Sequence, residues 1–383
     1  MNPITQATAE PAEMSDRDER IREVGWFRRL LARPEFGALA GTVLVFAIFG
    51  VAAGGSGMFN SEGVVNWLTV AGYLGILAVG AAMLMIAGEF DLSVGSMIGF
   101  AGMMLAIPVL YWGWPISVAV AFCLVGAMAL GWVNGYLLAR TGLPSFIVTL
   151  AFFFILRGLS LALSILFTGK TIISANGDLV LRALIAEDPL ISTLFVGHCF
   201  TGVYDALARA GFIAANQTGA ALAIGIPKAV VWWIALTAIG AFMLGRTQLG
   251  NWILASGGDA NAAKNVGIPV ARVKTGMFMV TAFCAAIFAV LQVADAGSAS
   301  ADRGLQKEFE AIIAAVIGGC LLTGGFGSVI GAAFGAVIFG MVQIGIGYTS
   351  IDNSWYRVFL GLMLLIAVIF NNYIRQRYAG GRH

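Results

Sequence analysis

Two carboxylates and a hydroxyl stand together in Gly88-Glu89-Phe90-Asp91-Leu92-Ser93-Val94-Gly95, between two long apolar runs with almost no polar loop around them. Ionisable groups at such depth are costly, and they are kept where they pair, face a water-filled cavity or carry protons. The plainer reading is a short solvated turn in which Asp91 or Ser93 caps the next helix. A second segment, Gly245 through Ile268, places a helix start at Asp259 and a helix stop at Gly267 around Ala260-Asn261-Ala262-Ala263-Lys264-Asn265. A two-turn, Ala-rich, exposed helix has little membrane to pack on, so it suits docking of a partner protein. As a bare composition it also fits a connecting loop.

Other chemistry is poorly supplied. His198 and His383 are the only histidines, and neither has a cysteine or histidine at metal spacing, so no metal site is expected. No Ser-His or His-Glu constellation for hydrolysis exists. Cys123, Cys284 and Cys320 lie in apolar runs and Cys199 in a more polar stretch, which fits small buried hydrophobes better than a disulfide framework. Gly169-Lys170-Thr171 ends like a nucleotide-binding loop, but Ser164 stands where the first glycine must be.

The elements that must position these residues are membrane helices. Of 383 residues, 59% are hydrophobic and 11% charged, against roughly 25% charged in soluble domains, so a soluble enzyme is excluded. The 50 glycines follow no collagen period and suit closely packed membrane helices. A net charge of +2 is too small to argue for nucleic acid. At about 20 apolar residues per crossing, ten spans are expected, at 36–56, 64–87, 92–112, 115–139, 144–167, 227–245, 273–294, 309–323, 328–348 and 355–373. The eighth is short for a crossing and reads as a half-helix. Residues 1–35 form a polar tail in which Ile21–Leu31 is a possible interfacial helix, 36–373 the transmembrane domain, and 374–383 a second tail. Within the domain, 168–226 is a long outer segment and 246–272 the largest inner loop.

Ten spans put both termini on one side. With the N-terminus inside, fourteen Lys and Arg fall on the cytosolic side: six in the tail, then Arg140, Arg246, Lys264, Arg272, Lys274, Arg375, Arg377 and Arg382. Six fall outside: Lys170, Arg182, Arg209, Lys228, Arg303 and Lys307. The positive-inside rule favours that orientation. Glu89-Phe90-Asp91 before Ile98-Gly99 recurs as Glu308-Phe309-Glu310 before Ile317-Gly318, at an offset of 219. Two five-helix halves of opposite topology, a transporter arrangement, would follow.

Polar side chains on otherwise apolar spans include Asn66, Tyr73, Asn134, Arg157, Gln292, Asp295 and Gln343. Solutes rich in hydroxyls are held by planar polar groups and aromatic faces, so the path candidates are Asn66, Trp67, Glu89, Asp91, Ser93, Gln292 and Gln343. The competing role for each is an interhelical hydrogen bond. Arg157 is expected to pair with a carbonyl or a carboxylate. Gly95/Gly99, Gly131/Gly135 and Gly331/Gly335 are expected at close helix contacts.

The run Gly257-Gly258-Asp259-Ala260-Asn261-Ala262-Ala263-Lys264-Asn265-Val266-Gly267-Ile268 resembles the cytosolic coupling loop of ribose-type sugar permeases of bacterial ATP-binding cassette importers, a family of ribose, xylose and inositol permeases. Asp91-Leu92-Ser93-Val94-Gly95, Leu143–Leu150, Arg157-Gly158, Ala314–Gly319 and Gly324–Gly331 are similar to further motifs of that family, in order from about residue 60 to 373. The resemblance implies an all-α integral membrane permease of the bacterial inner membrane, working as a homodimer. It would be fed by a periplasmic sugar-binding protein and driven by separate ATPase subunits, so that ATP is used by a partner and no cofactor is bound here. Gly257, Gly258, Asp259, Ala260, Asn261, Ala262, Ala263 and Gly267 would form the ATPase-coupling loop. Glu89-Phe90 departs from the small or apolar residues of the family, and 168–226 is longer than its counterpart. The rival readings are a branched-chain amino acid permease of the same superfamily and a proton-coupled transporter using Glu89 and Asp91.

Overall fold

The computed structural model describes residues 34–174, 187–212 and 225–379, together with Leu181 and Ile185. Backbone groups in lipid have no water to bond, so the long apolar runs close their hydrogen bonds within helices. In chain order these are α1 (Pro34–Ala53), α2 (Ser61–Ile86), α3 (Val94–Trp112), α4 (Ile116–Thr141) and α5 (Ser145–Thr168). After a strand β1 (Ile172–Ser174) come α6 (Pro189–Phe195), β2 (His198–Cys199), α7 (Thr201–Arg209) and β3 (Ile226–Pro227). Next are α8 (Lys228–Arg246), α9 (Gln248–Gly258), α10 (Ala260–Asn265) and α11 (Val270–Ala296). The chain continues through β4 (Ser298–Ser300), α12 (Lys307–Ile317), α13 (Val329–Gly345) with a 3-10 turn at Ile346–Tyr348, and α14 (Trp355–Ala379). Local sequence sets many of the ends: Pro115, Pro144 and Pro227 stand immediately before α4, α5 and α8, and Gly142 and Gly297 end α4 and α11 in the left-handed conformation that only glycine adopts without strain.

Among the described residues, eight helices (α1 to α5, α8, α11 and α13) are long and apolar enough to cross a membrane. α2, α3, α11 and α13 form the buried centre; α1, α4, α5 and α8 lie outside and expose large apolar side chains such as Leu44, Val125, Phe154 and Ile234. Small residues make the close approaches. A Cβ at Gly340 of α13 would meet the Trp67 carbonyl at 2.5 Å, one at Gly131 of α4 the Phe278 carbonyl at 2.5 Å, and one at Gly80 of α2 the Thr281 Cα at 3.1 Å.

These contacts fix helix directions. Gly80 faces Thr281 and Cys284 while Tyr73 reaches Asp295, so α2 and α11 are antiparallel. Gly131 and Gly135 of α4 face Phe278 and Thr275, which makes α4 antiparallel to α11, and Gly340 and Gly327 face Trp67 and Ile86, which makes α13 antiparallel to α2. Thr42 of α1 bonds the Phe334 carbonyl at 3.4 Å and Glu35 meets Ser328 at 2.8 Å, so α1 and α13 start on one face. It follows that α11 and α13 run the same way, and the chain must cross back between them.

The expected span 309–323 is corrected here. The helix is Lys307–Ile317, 11 residues, about 16 Å against a hydrocarbon core of about 30 Å. An irregular stretch before it and a glycine-rich loop after it complete the crossing. The reason is local: Gly318, Gly319, Gly324 and Gly325 follow within eight residues, and Gly319, Gly324 and Gly325 have positive φ. The last helix is longer than expected, as α14 runs from Trp355 to Ala379, past the expected end at 373. In 168–226 the described residues hold the short helices α6 and α7, and β2 pairs with β3. The tail 1–33, with Ile21–Leu31, lies outside the described residues.

The expected halves take a modified form. α2 packs chiefly on α13 and α11 chiefly on α4; α3 packs on α4 and α5 as α12 packs on α13 and α14. Exchanging α2–α5 with α11–α14 thus reproduces the packing with every direction reversed. The first helices break the pattern: α1 lies on α13, whereas α8 lies on α2. The motif offset does not follow the exchange either. Glu89–Asp91 precede α3, but Glu308–Glu310 lie in the first turn of α12.

Candidate functional site

α2 ends at Ile86, and the turn Ala87–Ser93 carries the chain to α3. The Phe90 N–H donates to Ser145 Oγ at 3.2 Å, tying the turn to the start of α5. Asp91 and Ser93 are buried. Asp91 Oδ1 accepts from the Ser93 N–H at 2.8 Å and from Ser93 Oγ at 2.5 Å, and Asn134 Nδ2 of α4 donates to Ser93 Oγ at 3.1 Å. Burial raises the Asp91 carboxyl above its ordinary range, with the Ser93 hydrogen bonds opposing. Neither side chain caps α3: Ser93 is the N-cap residue and its side chain bonds no helix N–H. Ser93 thus stands at the N-cap position that the capping alternative gave it, but its side chain is engaged with Asp91 and with Asn134 of α4 instead of the helix end. Glu89 has a different partner, Lys274 Nζ of α11 at 2.5 Å, with both side chains only 13–14% exposed.

The segment Gly245 through Ile268 forms the short helix that its composition suggested. Asp259 Oδ1 accepts from the Asn261 and Ala262 N–H groups at 2.9 and 3.0 Å, capping α10. Gly267 leaves α10 at φ +86° in open space. Ala263 is buried against the protein, whereas Asn261, Ala262, Lys264, Asn265 and Val266 are exposed. Gly257, at the end of α9, is wedged where three segments meet. A Cβ there would stand 1.9 Å from the Ile86 carbonyl and 2.6 Å from the Gly325 nitrogen, and the Gly325 N–H donates to that same carbonyl at 2.9 Å. The end of α9, immediately before α10, thus abuts the end of α2 and the loop after α12, while α10 itself packs on α9 and α11.

The remaining path candidates are dispersed. Asn66 is exposed near the start of α2, and Trp67 is buried under Gly340 with its Nε1 unbonded. Gln292 is half-buried on α11, and Gln343 Oε1 accepts from the Tyr356 hydroxyl at 3.3 Å. Only Glu89, Asp91 and Ser93 are gathered in one place. Arg157 pairs with a carboxylate as expected, Asp302 at 2.6 Å. Asp302 was missed because it lies in an outer connection by hydropathy; its charge two residues from Ser300 was the available signal. Gly95 and Gly99 face Gly304, Glu308 and Ala301 rather than a neighbouring membrane helix, and Gly331 and Gly335 face Gly318 and Ala314 of the α12 segment.

The family model described as branched-chain amino acid transport system / permease component matches residues 63–368. The chain is 33% identical over 345 residues to the xylose transport system permease protein XylH of Escherichia coli (strain K12), covering 83% of this chain and 86% of that one. It is 30% identical over 355 residues to XylH of Haemophilus influenzae, with 86% and 94% covered. It is also 30% identical over 335 residues to the fructose import permease protein FrcC of Rhizobium meliloti, with 87% and 84% covered. No solved structure matches the chain.

Proposed function

The chain belongs to the branched-chain amino acid transport system / permease component family, and we propose that within it this protein is the membrane permease of a monosaccharide importer driven by ATP-hydrolysing partner subunits. The sugar assignment rests on the xylose and fructose permeases, which match across most of their length. The observation that carries the mechanism is α10, a capped helix whose outer face has no partner among the described residues. Held in a cleft of an ATPase, it would move as that cleft closes. Gly257 is packed on Ile86 and Gly325, so the displacement would reach α2, the Asp91 turn and the loop after α12 together. The ATPase pair implies a second permease copy, and a binding protein would deliver the solute on the opposite face.

The face where α1 and α13 begin would be cytosolic, because it carries α10 and the larger share of Lys and Arg. The proton-carrier rival is weakened by the Lys274 partner of Glu89, which already neutralises one of its two acids. The test is reconstitution of the permease with its ATPase and binding protein in proteoliposomes. ATP-dependent, protonophore-insensitive uptake of labelled xylose, ribose or fructose is expected. Uptake of leucine with no uptake of any sugar would overturn the reading.

A further inference from the structure

Arg157 stands twelve residues from the start of α5 and eleven from its end, about 18 and about 17 Å along the axis, so it lies near mid-membrane. Its partner Asp302 is 74% exposed. Asp302 belongs to the stretch between β4 and α12, which is not helical and nonetheless penetrates deeply. The Ala301 carbonyl lies where a Cβ on Gly99 would stand, 2.6 Å away, and Gly99 is thirteen residues from the end of α3 at Trp112, about 20 Å. Exposed irregular backbone at that depth occurs only where it is buried in protein or lines a water-filled cavity, and an exposed carboxylate does not face lipid. Leu305 and Gln306 on the same stretch are exposed as well, as is Phe309 in the first turn of α12. Behind it, Glu308 is buried with Oε2 unbonded and Arg157 has Nη1 unbonded, so polar atoms here lack partners among the described residues.

We propose that the stretch from Ala301 to Phe309, together with Arg157, is the wall of the solute path at mid-membrane. The Asp302 carboxylate, held in place by Arg157 through Oδ1, is its hydrogen-bonding contact for an uncharged, hydroxyl-rich solute. The solute class rests on the sugar-permease reading; the position of the wall does not. The path is thereby assigned to the α5–α12 face rather than to Asn66, Gln292 and Gln343.

The test uses the complete importer in proteoliposomes, with Cys199 replaced by Ser and single substitutions Leu305→Cys and Phe309→Cys. Val43→Cys and Ile234→Cys, on the outer faces of α1 and α8, are the lipid-facing controls. A charged, membrane-impermeant thiol reagent should label the first two and not the controls, at rates that change about tenfold or more between nucleotide-free and vanadate-trapped states. Labelling no greater than in the controls overturns the wall, whatever the solute is. Asp302→Ala should raise the KM of sugar uptake about tenfold, as for loss of a charged hydrogen bond, and Asp302→Asn should recover part of it. An unchanged KM overturns the contact. Amino acid uptake with state-dependent labelling would instead sink the sugar reading and leave the wall in place.

Discussion

At the residue scale, the acids near Gly88 were legible as unusual, but their roles were not, because every deciding partner is remote in sequence. Glu89 is neutralised by Lys274, 185 positions away, and Asp91 is held by Ser93, which is tied in turn to Asn134 of α4. Removing one member of a mostly buried ion pair leaves the other charge uncompensated. Lys274→Met should therefore cost about 3 kcal/mol, read as a lowered midpoint of thermal unfolding in detergent, and Lys274→Met with Glu89→Gln should recover most of it. If the double variant is no more stable than the single, the pair is not coupled. Gly257→Ala is expected to destabilise by about 2 to 3 kcal/mol, because its methyl group would collide with the Ile86 carbonyl and the Gly325 nitrogen.

At the element scale, α10 was legible because its signals are local: a capping Asp, a run of alanines and a terminal glycine. The short α12 was partly legible from its length, while the glycine-rich loop that completes its crossing makes sense only against α2 and α9. The two sides of α10 should separate stability from coupling. Ala263→Leu overpacks the buried side and should cost about 1 to 3 kcal/mol of stability. Lys264→Glu, on the exposed side, should leave the unfolding midpoint unchanged and lower solute-stimulated ATP hydrolysis in the assembled importer. Normal coupling in that variant would show that the exposed face of α10 does not meet the ATPase.

At the scale of the molecule, the antiparallel contacts of α11 with α2 and α4 place Lys170 and Lys264 on opposite faces. In intact spheroplasts, an impermeant thiol reagent should label Lys170→Cys and leave Lys264→Cys untouched until the membrane is broken. The reverse pattern would invert the orientation. The sequence by itself determined that the chain lives in a membrane, roughly where its helices run, and which loop has the makings of a dock. Those properties follow from composition and from signals within a few residues, since lipid forces each apolar run to satisfy its own backbone. Tertiary structure alone decided which charges are spent inside the fold and which face water. It also showed that the repeat is a four-helix exchange with reversed directions, out of register with the motif that suggested it. Pairing, burial and direction depend on residues from about 40 to nearly 300 positions apart, and no local pattern of hydropathy encodes which of them will meet.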